Sequence, residues 1–167
     1  GEELRSMIQK TEFAASTDET RYYLNGLFFN LTPDATQIVA TDGRRLSVAT
    51  HDSLEPKPDE PISVIVPLKA VREVVKTFAE SPTIQISLKE NQILFADDNA
   101  TLVSRLVDGE YPKYEKIIPD NNDIQVVVER EKLIGPIRRV SLLANQNTHS
   151  VRLDLENDEM RVSARTP

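Results

Sequence analysis

Apolar residues recur at the three-to-four-residue spacing of an amphipathic helix in three stretches of the chain. The clearest is 68–80, where one face holds Leu68, Val71, Val74, Val75 and Phe78. A helix is also expected over 2–16, with Leu4, Ile8 and Ala15 on its apolar side. A third is expected over 129–144, where Pro136 either kinks the helix or marks its regular start.

Between these helices the apolar positions alternate or cluster in short runs, which predicts strands. The predicted strands cover 22–31, 37–41, 45–49, 62–66, 83–88, 92–96, 100–107, 124–128, 150–155 and 160–164. The pair Asp42-Gly43 predicts a tight hairpin turn between the second and third strands. The proline-rich stretch 51–61 predicts an exposed loop, and 108–123 is turn-rich enough to connect two domains.

The end of the chain restarts the pattern of its beginning. Phe13-Ala-Ala-Ser16 closes a helix and precedes a strand, and Leu142-Leu-Ala-Asn145 does the same about 130 residues later. The sequence therefore predicts an α+β fold with two domains. Residues 1–118 form one complete unit, and 119–167 form the opening part of a second copy that stops mid-unit, as in a fragment.

Composition then narrows the functional classes. The chain has 167 residues, with 27 acidic and 20 basic side chains, and no cysteine. The absence of cysteine excludes disulfides and thiolate metal sites, and suits a reducing, cytoplasmic compartment. No apolar run is long enough for a membrane span, and Gly1-Glu-Glu-Leu4 does not resemble a signal peptide.

Catalytic and cofactor-binding motifs are missing from the sequence. Its five glycines form neither a Walker loop nor a dinucleotide-binding turn. His51 and His149 have no partner at metal-ligand spacing, Asp97-Asp98 fits a solvated turn, and no serine lies in a nucleophile elbow. We therefore expect a protein without catalytic residues, metal or cofactor.

Basic residues are concentrated on the predicted helices. The stretches 1–16, 67–81 and 129–145 hold nine basic and seven acidic residues, whereas the rest of the chain holds eleven and twenty. The basic side chains that this pattern brings out are Arg5, Lys10, Lys69, Arg72, Lys76, Lys132, Arg138 and Arg139. Periodicity alone leaves two interpretations open, an ordinary solvated face or a surface that faces nucleic-acid phosphates without reading bases.

Arg21-Tyr22-Tyr23 lies between the first helix and the first strand. A cation beside two aromatic rings could contact a nucleic-acid backbone and stack on bases. Alternatively, one tyrosine belongs to the core and the other to its rim.

Three motifs in order resemble the bacterial replicative sliding clamps, the beta-subunit family of DNA polymerase III. They are RYYLNG at 21–26, ATDGRRL at 40–46 and LVDGEYPKYEKIIP at 106–119, with VIVP at 64–67 between them. The resemblance covers essentially the whole chain. It implies the DNA clamp fold, in which each domain packs two helices on antiparallel sheets. Residues 1–118 would be the clamp's middle domain, and 119–167 the start of its third.

The resemblance implies a ring-shaped homodimer that encircles duplex DNA without sequence specificity. The basic helix residues named above would face the DNA through water, and Arg21, Tyr22 and Tyr23 would touch it at the inner rim. Leu142 and Leu143 would lie at the subunit interface.

The resemblance also implies a groove that binds short linear peptides of partner proteins. The matching positions are Leu24, Thr41, Gly43, Arg44, Arg45, Leu46, Pro112, Lys116 and Ile117. The implied partners are the polymerase catalytic subunit, the clamp loader, and other polymerases and repair proteins. The chain departs from the family at Arg44, Lys116 and Thr148, where histidine, arginine and an aromatic residue are usual. The alternative function is a soluble α/β module that binds peptides and has no role on DNA.

Overall fold

The structure, a computed structural model, describes residues 1–52, 58–145, 148–156 and 159–164. The chain divides into two compact units, Gly1–Ile118 and Pro119–Pro167.

Within the described residues, the first unit contains two α-helices and seven strands. In chain order they are α1 (Glu2–Thr11), β1 (Gly26–Leu31), β2 (Ala35–Thr41), β3 (Leu46–Asp52), β4 (Ile62–Pro67), α2 (Leu68–Thr77), β5 (Gln85–Lys89), β6 (Gln92–Ala96) and β7 (Thr101–Arg105). Short 3₁₀ segments cover Glu12–Ala14, Glu19–Leu24 and Tyr114–Ile117. The strands form two antiparallel sheets, one in the order β3-β2-β1-β4 and one in the order β5-β6-β7.

The helices cover the sheets and close one apolar core. Ile8 of α1 and Val71 of α2 are fully buried in the same cluster as Phe29 of β1 and Phe95 of β6. The Phe29 and Phe95 rings meet edge to face at 6.5 Å, which ties the two sheets together. This arrangement confirms the predicted α+β fold, with two helices packed on antiparallel sheets.

The turn between β2 and β3 forms as the Asp42-Gly43 pair predicts. Gly43 has φ +85°, a conformation that glycine adopts without strain. One carboxylate oxygen of Asp42 accepts the N–H groups of Arg44 and Arg45 at 2.9 and 3.0 Å. The N–H of Arg44, the Arg45 N–H and the Arg45 guanidinium hold the pKa of Asp42 below its ordinary value of 3.8.

Two predictions for the first segment are wrong in their extent. The regular helix predicted over 2–16 ends at Thr11, the tight 3₁₀ turn Glu12–Ala14 follows, and Ala15 is already extended. The strand predicted over 22–31 begins only at Gly26. The preceding residues form the 3₁₀ segment because Asp18 accepts the Thr20 N–H and caps it.

Smaller differences concern element ends. The helix predicted over 68–80 ends at Thr77, and the strand predicted over 100–107 covers only Thr101–Arg105. In the predicted loop 51–61, His51 and Asp52 belong to β3, and residues 53–57 lie outside the described residues.

The second unit contains α3 (Arg130–Ser141) and a hairpin of β8 (Arg152–Glu156) and β9 (Glu159–Ser163). Pro136 lies inside α3, so the alternative in which the regular helix begins there is wrong. The strand predicted over 124–128 is also wrong. Within the described residues this stretch pairs with no strand, and the side chain of Val127 is 99% exposed. Apolar β-branched composition alone therefore misled the prediction.

Candidate DNA-facing and peptide-binding surfaces

A stripe of basic side chains runs along the outer face of α2. Lys69, Arg72 and Lys76 are exposed, while Val71 and Val74 on the opposite face are buried. Pro67 precedes the helix as its N-cap and leaves β4 and α2 directly joined. The predicted segregation of basic and apolar faces on this helix is confirmed, and its role towards DNA stays a prediction.

Carboxylates moderate the charge of this stripe. Arg72 Nε donates to Glu12 Oε2 at 2.8 Å, and Lys76 Nζ donates to Glu73 Oε1 at 3.0 Å. Among the described residues, Lys69 makes no ion pair. Together with Lys69, these three cations and two carboxylates carry one net positive charge, so the face is weakly basic.

On α1 the two predicted basic residues differ in their surroundings. Lys10 is exposed. Arg5 is half-buried, and its Nη1 donates to the carbonyl oxygens of Phe78 and Ser81 at 2.8 Å each. Phe78 is the C-cap of α2, and its carbonyl also accepts the Ser81 N–H at 3.1 Å, so Arg5 adds to the cap of α2 and joins the two helices.

Arg21, Tyr22 and Tyr23 lie in the 3₁₀ segment that precedes β1. Arg21 Nε contacts Asp18 Oδ2 at 3.1 Å, and its Nη1 donates to the Asp42 carbonyl at 3.0 Å. Tyr22 is 54% exposed, whereas Tyr23 is half-buried and meets the Tyr22 ring edge-on at 5.9 Å. One tyrosine is therefore displayed to solvent and the other anchors the segment.

Behind this segment lies a second apolar cluster, which includes Leu24, Leu46, Phe28, Tyr111 and Tyr114. The Phe28 and Tyr111 rings stack at 4.8 Å. Leu24 is almost fully buried, and Leu46 at the start of β3 is half-buried. The structure thus brings two of the predicted groove residues into one cluster, and of these two Leu46 has the larger exposed surface.

The predicted groove residues of the turn are held by its own hydrogen bonds. Thr41 is buried, and its hydroxyl donates to the Arg45 carbonyl at 2.7 Å and accepts the Gly43 N–H at 3.0 Å. Arg44 and Arg45 are exposed, and the Arg45 guanidinium lies 5.5 Å from the centre of the Phe13 ring. Arg45 therefore contacts the segment after α1.

Pro112, Lys116 and Ile117 lie in and before the 3₁₀ segment Tyr114–Ile117. Pro112 is half-buried, Lys116 is exposed and Ile117 is 65% exposed. The Tyr114 hydroxyl donates to Gln37 Oε1 on β2 at 2.8 Å and so fixes this segment to the first sheet. Burial raises the pKa of both Tyr111 and Tyr114, so both hydroxyls stay neutral at physiological pH.

In the second unit, Lys132, Arg138 and Arg139 are exposed on α3, and Lys132 Nζ pairs with Glu129 at 2.7 Å. Leu142 is 84% exposed where α3 ends, and Leu143 beside it is also exposed. Their role at a subunit interface stays a prediction.

No candidate metal-binding cluster occurs in the part of the chain that the structure describes. No three His, Asp or Glu residues there could hold a metal ion. His51 and His149 lie in different units, and His51 Nδ1 lies 2.9 Å from the neighbouring Asp52 carbonyl. Within the described ranges, no helix has the length and apolar character that crossing a bilayer requires.

The chain matches two family models, one for each unit. The model described as "DNA polymerase III beta subunit, central domain" matches residues 1–113. The model described as "DNA polymerase III beta subunit, C-terminal domain" matches residues 115–167.

Curated relatives and solved structures agree with these matches. The beta sliding clamp of Pseudomonas aeruginosa is 34% identical over 165 residues, which are 98% of this chain and 45% of that protein. The clamp of Chlamydia muridarum is 33% identical over 164 residues, covering 98% of this chain and 44% of that protein. The chain thus spans less than half the length of these relatives.

The fold of this chain superposes closely on solved clamps. A crystal structure of the P. aeruginosa sliding clamp gives a TM-score of 0.93 at 33% identity, and covers 99% of this chain and 46% of that one. The Bacillus subtilis clamp gives 0.90 at 30% identity, covering 98% and 44%. A further P. aeruginosa structure is a clamp bound to griselimycin. It gives a TM-score of 0.91 at 33% identity, and covers 98% of this chain and 44% of that one.

Proposed function

Because this chain belongs to the DNA polymerase III beta subunit family, the bacterial sliding clamps, we propose that the protein of which it is part is a DNA polymerase processivity factor. The observation that carries the proposal is the ordered match of the central-domain and C-terminal-domain models to residues 1–113 and 115–167. In this proposal residues 1–118 are the middle domain of the clamp, and 119–167 begin its third domain.

The proposed mechanism is topological. A closed ring around duplex DNA needs no tight contact, because the ring itself prevents dissociation while the protein slides. The weakly basic face of α2, with Arg72 and Lys76 partly neutralised by Glu12 and Glu73, suits this role. Water and mobile ions can then lie between the helices and the phosphates, which keeps friction along the DNA low.

The DNA-facing set is Lys10, Lys69, Arg72 and Lys76 in the first unit, with Lys132, Arg138 and Arg139 on α3. Exposed Tyr22, beside Arg21, adds a stacking surface at the rim. We assign Arg5 a structural role, because its Nη1 already donates to two carbonyls.

The partner site of the proposal is a peptide groove with one wall built on the second apolar cluster. Leu46 and the Thr41 methyl group supply its floor, Pro112 and exposed Ile117 its edge, and Lys116 a cation at that edge. An extended peptide with leucine and phenylalanine anchors fits such an apolar slot. Replicative polymerase, clamp loader, other polymerases and repair proteins would compete for it.

In the same proposal, Leu142 and Leu143 lie at the interface of a homodimeric ring. Burying their exposed apolar surface against a partner would contribute favourable free energy to the association. The protein would be a non-catalytic subunit in the cytoplasm, where the bacterial chromosome is replicated. The alternative function is a peptide-binding module without a role on DNA. It would have the same peptide groove but would form no ring around DNA.

A primer-extension assay tests the proposal. The full-length protein, its clamp loader and limiting polymerase are mixed with a long primed template, and product lengths are measured. We expect much longer products with the protein than without it, and short products with its Leu46→Asp variant. Product lengths that do not depend on the protein, while a groove peptide still binds, would favour the alternative module.

A further inference from the structure

Three dipeptides of the chain place a glycine directly after an aspartate or an asparagine. They are Asn25-Gly26, Asp42-Gly43 and Asp108-Gly109. Such dipeptides can cyclise, because glycine has no side chain to shield its backbone nitrogen from the carbonyl carbon of the preceding side chain. All three share this chemistry, so their surroundings in the fold decide which of them reacts.

Asp42-Gly43 is held against this reaction by the turn between β2 and β3. The Asp42 carboxylate accepts the N–H groups of Arg44 and Arg45 at 2.9 and 3.0 Å. The Gly43 N–H, whose nitrogen would have to attack, donates to Thr41 Oγ1 at 3.0 Å. Several hydrogen bonds must therefore break before the two reacting groups can meet.

Asn25-Gly26 is held by the backbone around it. The Asn25 N–H donates to the Tyr22 carbonyl at 3.0 Å, and the Asn25 carbonyl accepts the Leu68 N–H at 3.1 Å. Gly26 is buried at the start of β1, where an added Cβ would lie only 2.5 Å from the Val66 carbonyl oxygen. The Gly26 nitrogen thus has little room to turn towards the Asn25 side chain.

Asp108-Gly109 lacks both kinds of restraint. The two residues are exposed and lie in the segment that follows β7. Neither the Asp108 carboxylate nor the Gly109 N–H makes a hydrogen bond or an ion pair with the residues that the structure describes. The carboxyl carbon and the nitrogen that must meet are therefore both free of competing partners.

We propose that Asp108 is the site at which this protein isomerises spontaneously to isoaspartate. The Gly109 nitrogen attacks Asp108 Cγ and forms a succinimide ring, while the N–H proton and the carboxyl hydroxyl leave as water. Water then opens the ring. Cleavage of the bond from nitrogen to Cγ returns aspartate, whereas cleavage of the bond to the Asp108 backbone carbonyl leaves Gly109 attached through Cγ, which is isoaspartate. One water is released and one is consumed, so the mass is unchanged and no oxidant is needed.

Isomerisation lengthens the backbone between two anchored points. On one side, the Val107 N–H donates to the Ile65 carbonyl at 2.9 Å. On the other side, Tyr111 is 7% exposed and stacks on Phe28. The methylene that isoaspartate adds to the backbone must therefore be accommodated between positions 107 and 111.

Tyr22 and Tyr23 lie against this stretch of backbone. A Cβ on Gly109 would lie 3.4 Å from Tyr23 Cβ and 3.8 Å from Tyr22 Cε2. Since the lengthened backbone cannot keep its path, we expect isomerisation to change the packing of both rings. This chemistry requires neither DNA nor a closed ring.

The test incubates the 167-residue chain for several weeks at mildly acidic pH, in buffer and in parallel in guanidinium chloride. Trypsin releases Asp108 in the peptide 106–113, and Asn25 and Asp42 together in the peptide 22–44. Isoaspartate in each peptide is measured with an isoaspartyl methyltransferase and S-adenosylmethionine. In buffer we expect about tenfold more in 106–113, because the other two sites must first lose hydrogen bonds. In guanidinium chloride, which unfolds all three sites, 22–44 should contain at least as much.

The matched control is Asp108→Glu, which keeps the charge but would need a larger ring to cyclise. It should form no isoaspartate in the peptide 106–113. The NMR signals of the Tyr22 and Tyr23 rings should shift as the original chain isomerises, and should stay unchanged in Asp108→Glu.

Three results would overturn the inference. Equal isoaspartate in the two peptides in buffer would show that the fold does not select Asp108. Isoaspartate in 106–113 that forms only in guanidinium chloride would show that the fold protects Asp108 as it protects the other two sites. Tyrosine signals that stay unchanged in the isomerised chain, or shift equally in Asp108→Glu, would contradict the effect on the rings.

Discussion

Arg5 offers the sharpest prediction about what holds the helical layer together. Replacing it with alanine removes two charge-assisted hydrogen bonds, from Nη1 to the carbonyl oxygens of Phe78 and Ser81 at 2.8 Å each. Such bonds contribute about 1.5–3 kcal/mol each when fully buried. Because Arg5 is half-buried and water can partly replace it, we expect Arg5→Ala to lower the free energy of unfolding by about 2 kcal/mol in total.

Urea unfolding followed by tyrosine fluorescence measures the change in the free energy of unfolding of the first unit, where Arg5 lies. The chain has no tryptophan, and its four tyrosines all lie between positions 22 and 114, so the signal reports the first unit. Arg5→Lys keeps the charge with a smaller donor array and should recover part of the loss. Lys10→Ala, on the exposed face of the same helix, is the matched control and should change the unfolding free energy by less than about 0.5 kcal/mol.

The reasoning would be refuted if Arg5→Ala and Lys10→Ala unfolded at the same urea concentration. Arg5 would then be a solvated cation like its neighbour, and its place in the DNA-facing set would have to be restored. A large loss of stability in both variants would also contradict the reasoning, because alanine is the best helix former and the exposed Lys10 side chain makes no such capping bonds.

Three further predictions concern the turn and the groove. In the full-length protein, Leu46→Asp should weaken binding of a fluorescent Gln-Leu-x-Leu-Phe peptide at least tenfold, whereas the control Val103→Asp on β7 should not. Unchanged binding by Leu46→Asp would show that the peptide binds elsewhere. Gly43→Ala forces a Cβ into a residue with φ +85° and should lower the thermal midpoint, with a stability loss of about 1–2 kcal/mol; an unchanged midpoint would show that the turn can rearrange. Asp42 has a folded-state pKa below 3.8, so its contribution is present above about pH 4 and is lost as the pH falls through that lower pKa. Asp42→Asn should therefore lose less stability than the original chain when urea midpoints at pH 7 and pH 3 are compared.

Periodicity predicted those elements of the first unit whose burial follows one face. The strands β2 and β6 and the helix α2 lie close to their predicted positions. Each packs one face on the core, so its apolar residues alternate in the strands and recur every three to four positions in the helix. The Asp42-Gly43 turn was equally predictable, because it depends on the φ of +85° at Gly43 and on the Asp42 carboxylate, which accepts N–H groups two and three positions ahead.

Contacts between distant residues decided the features that the sequence could not show. The capping role of Arg5 depends on carbonyls more than seventy positions away, and the partner of Arg72 is Glu12 on a different helix. Neither contact leaves a local pattern. Asp18 did leave one, as an N-cap residue before Glu19, and that cap could have shown that no strand begins at Tyr22.

The candidate surfaces came from the motifs more than from periodicity. The motif at 40–46 identified Thr41 and Leu46. The structure places Thr41 within the hydrogen-bonded turn, and Leu46 directly after it against the second apolar cluster. It could not separate them from Arg44 and Arg45, whose side chains are exposed on the same turn. Residues adjacent in a motif can serve opposite sides of a turn, and only the folded backbone separates them.

Retention on DNA of different topology tests the central claim most directly. The full-length protein is loaded onto a nicked circular plasmid, separated from free protein by gel filtration, and the plasmid is then cut once with a restriction enzyme. A clamp should elute with the circle through repeated dilution and leave after linearisation, because its hold is topological and its contacts are weak. Equal loss from circular and linear DNA, or equal retention on both, would contradict the account.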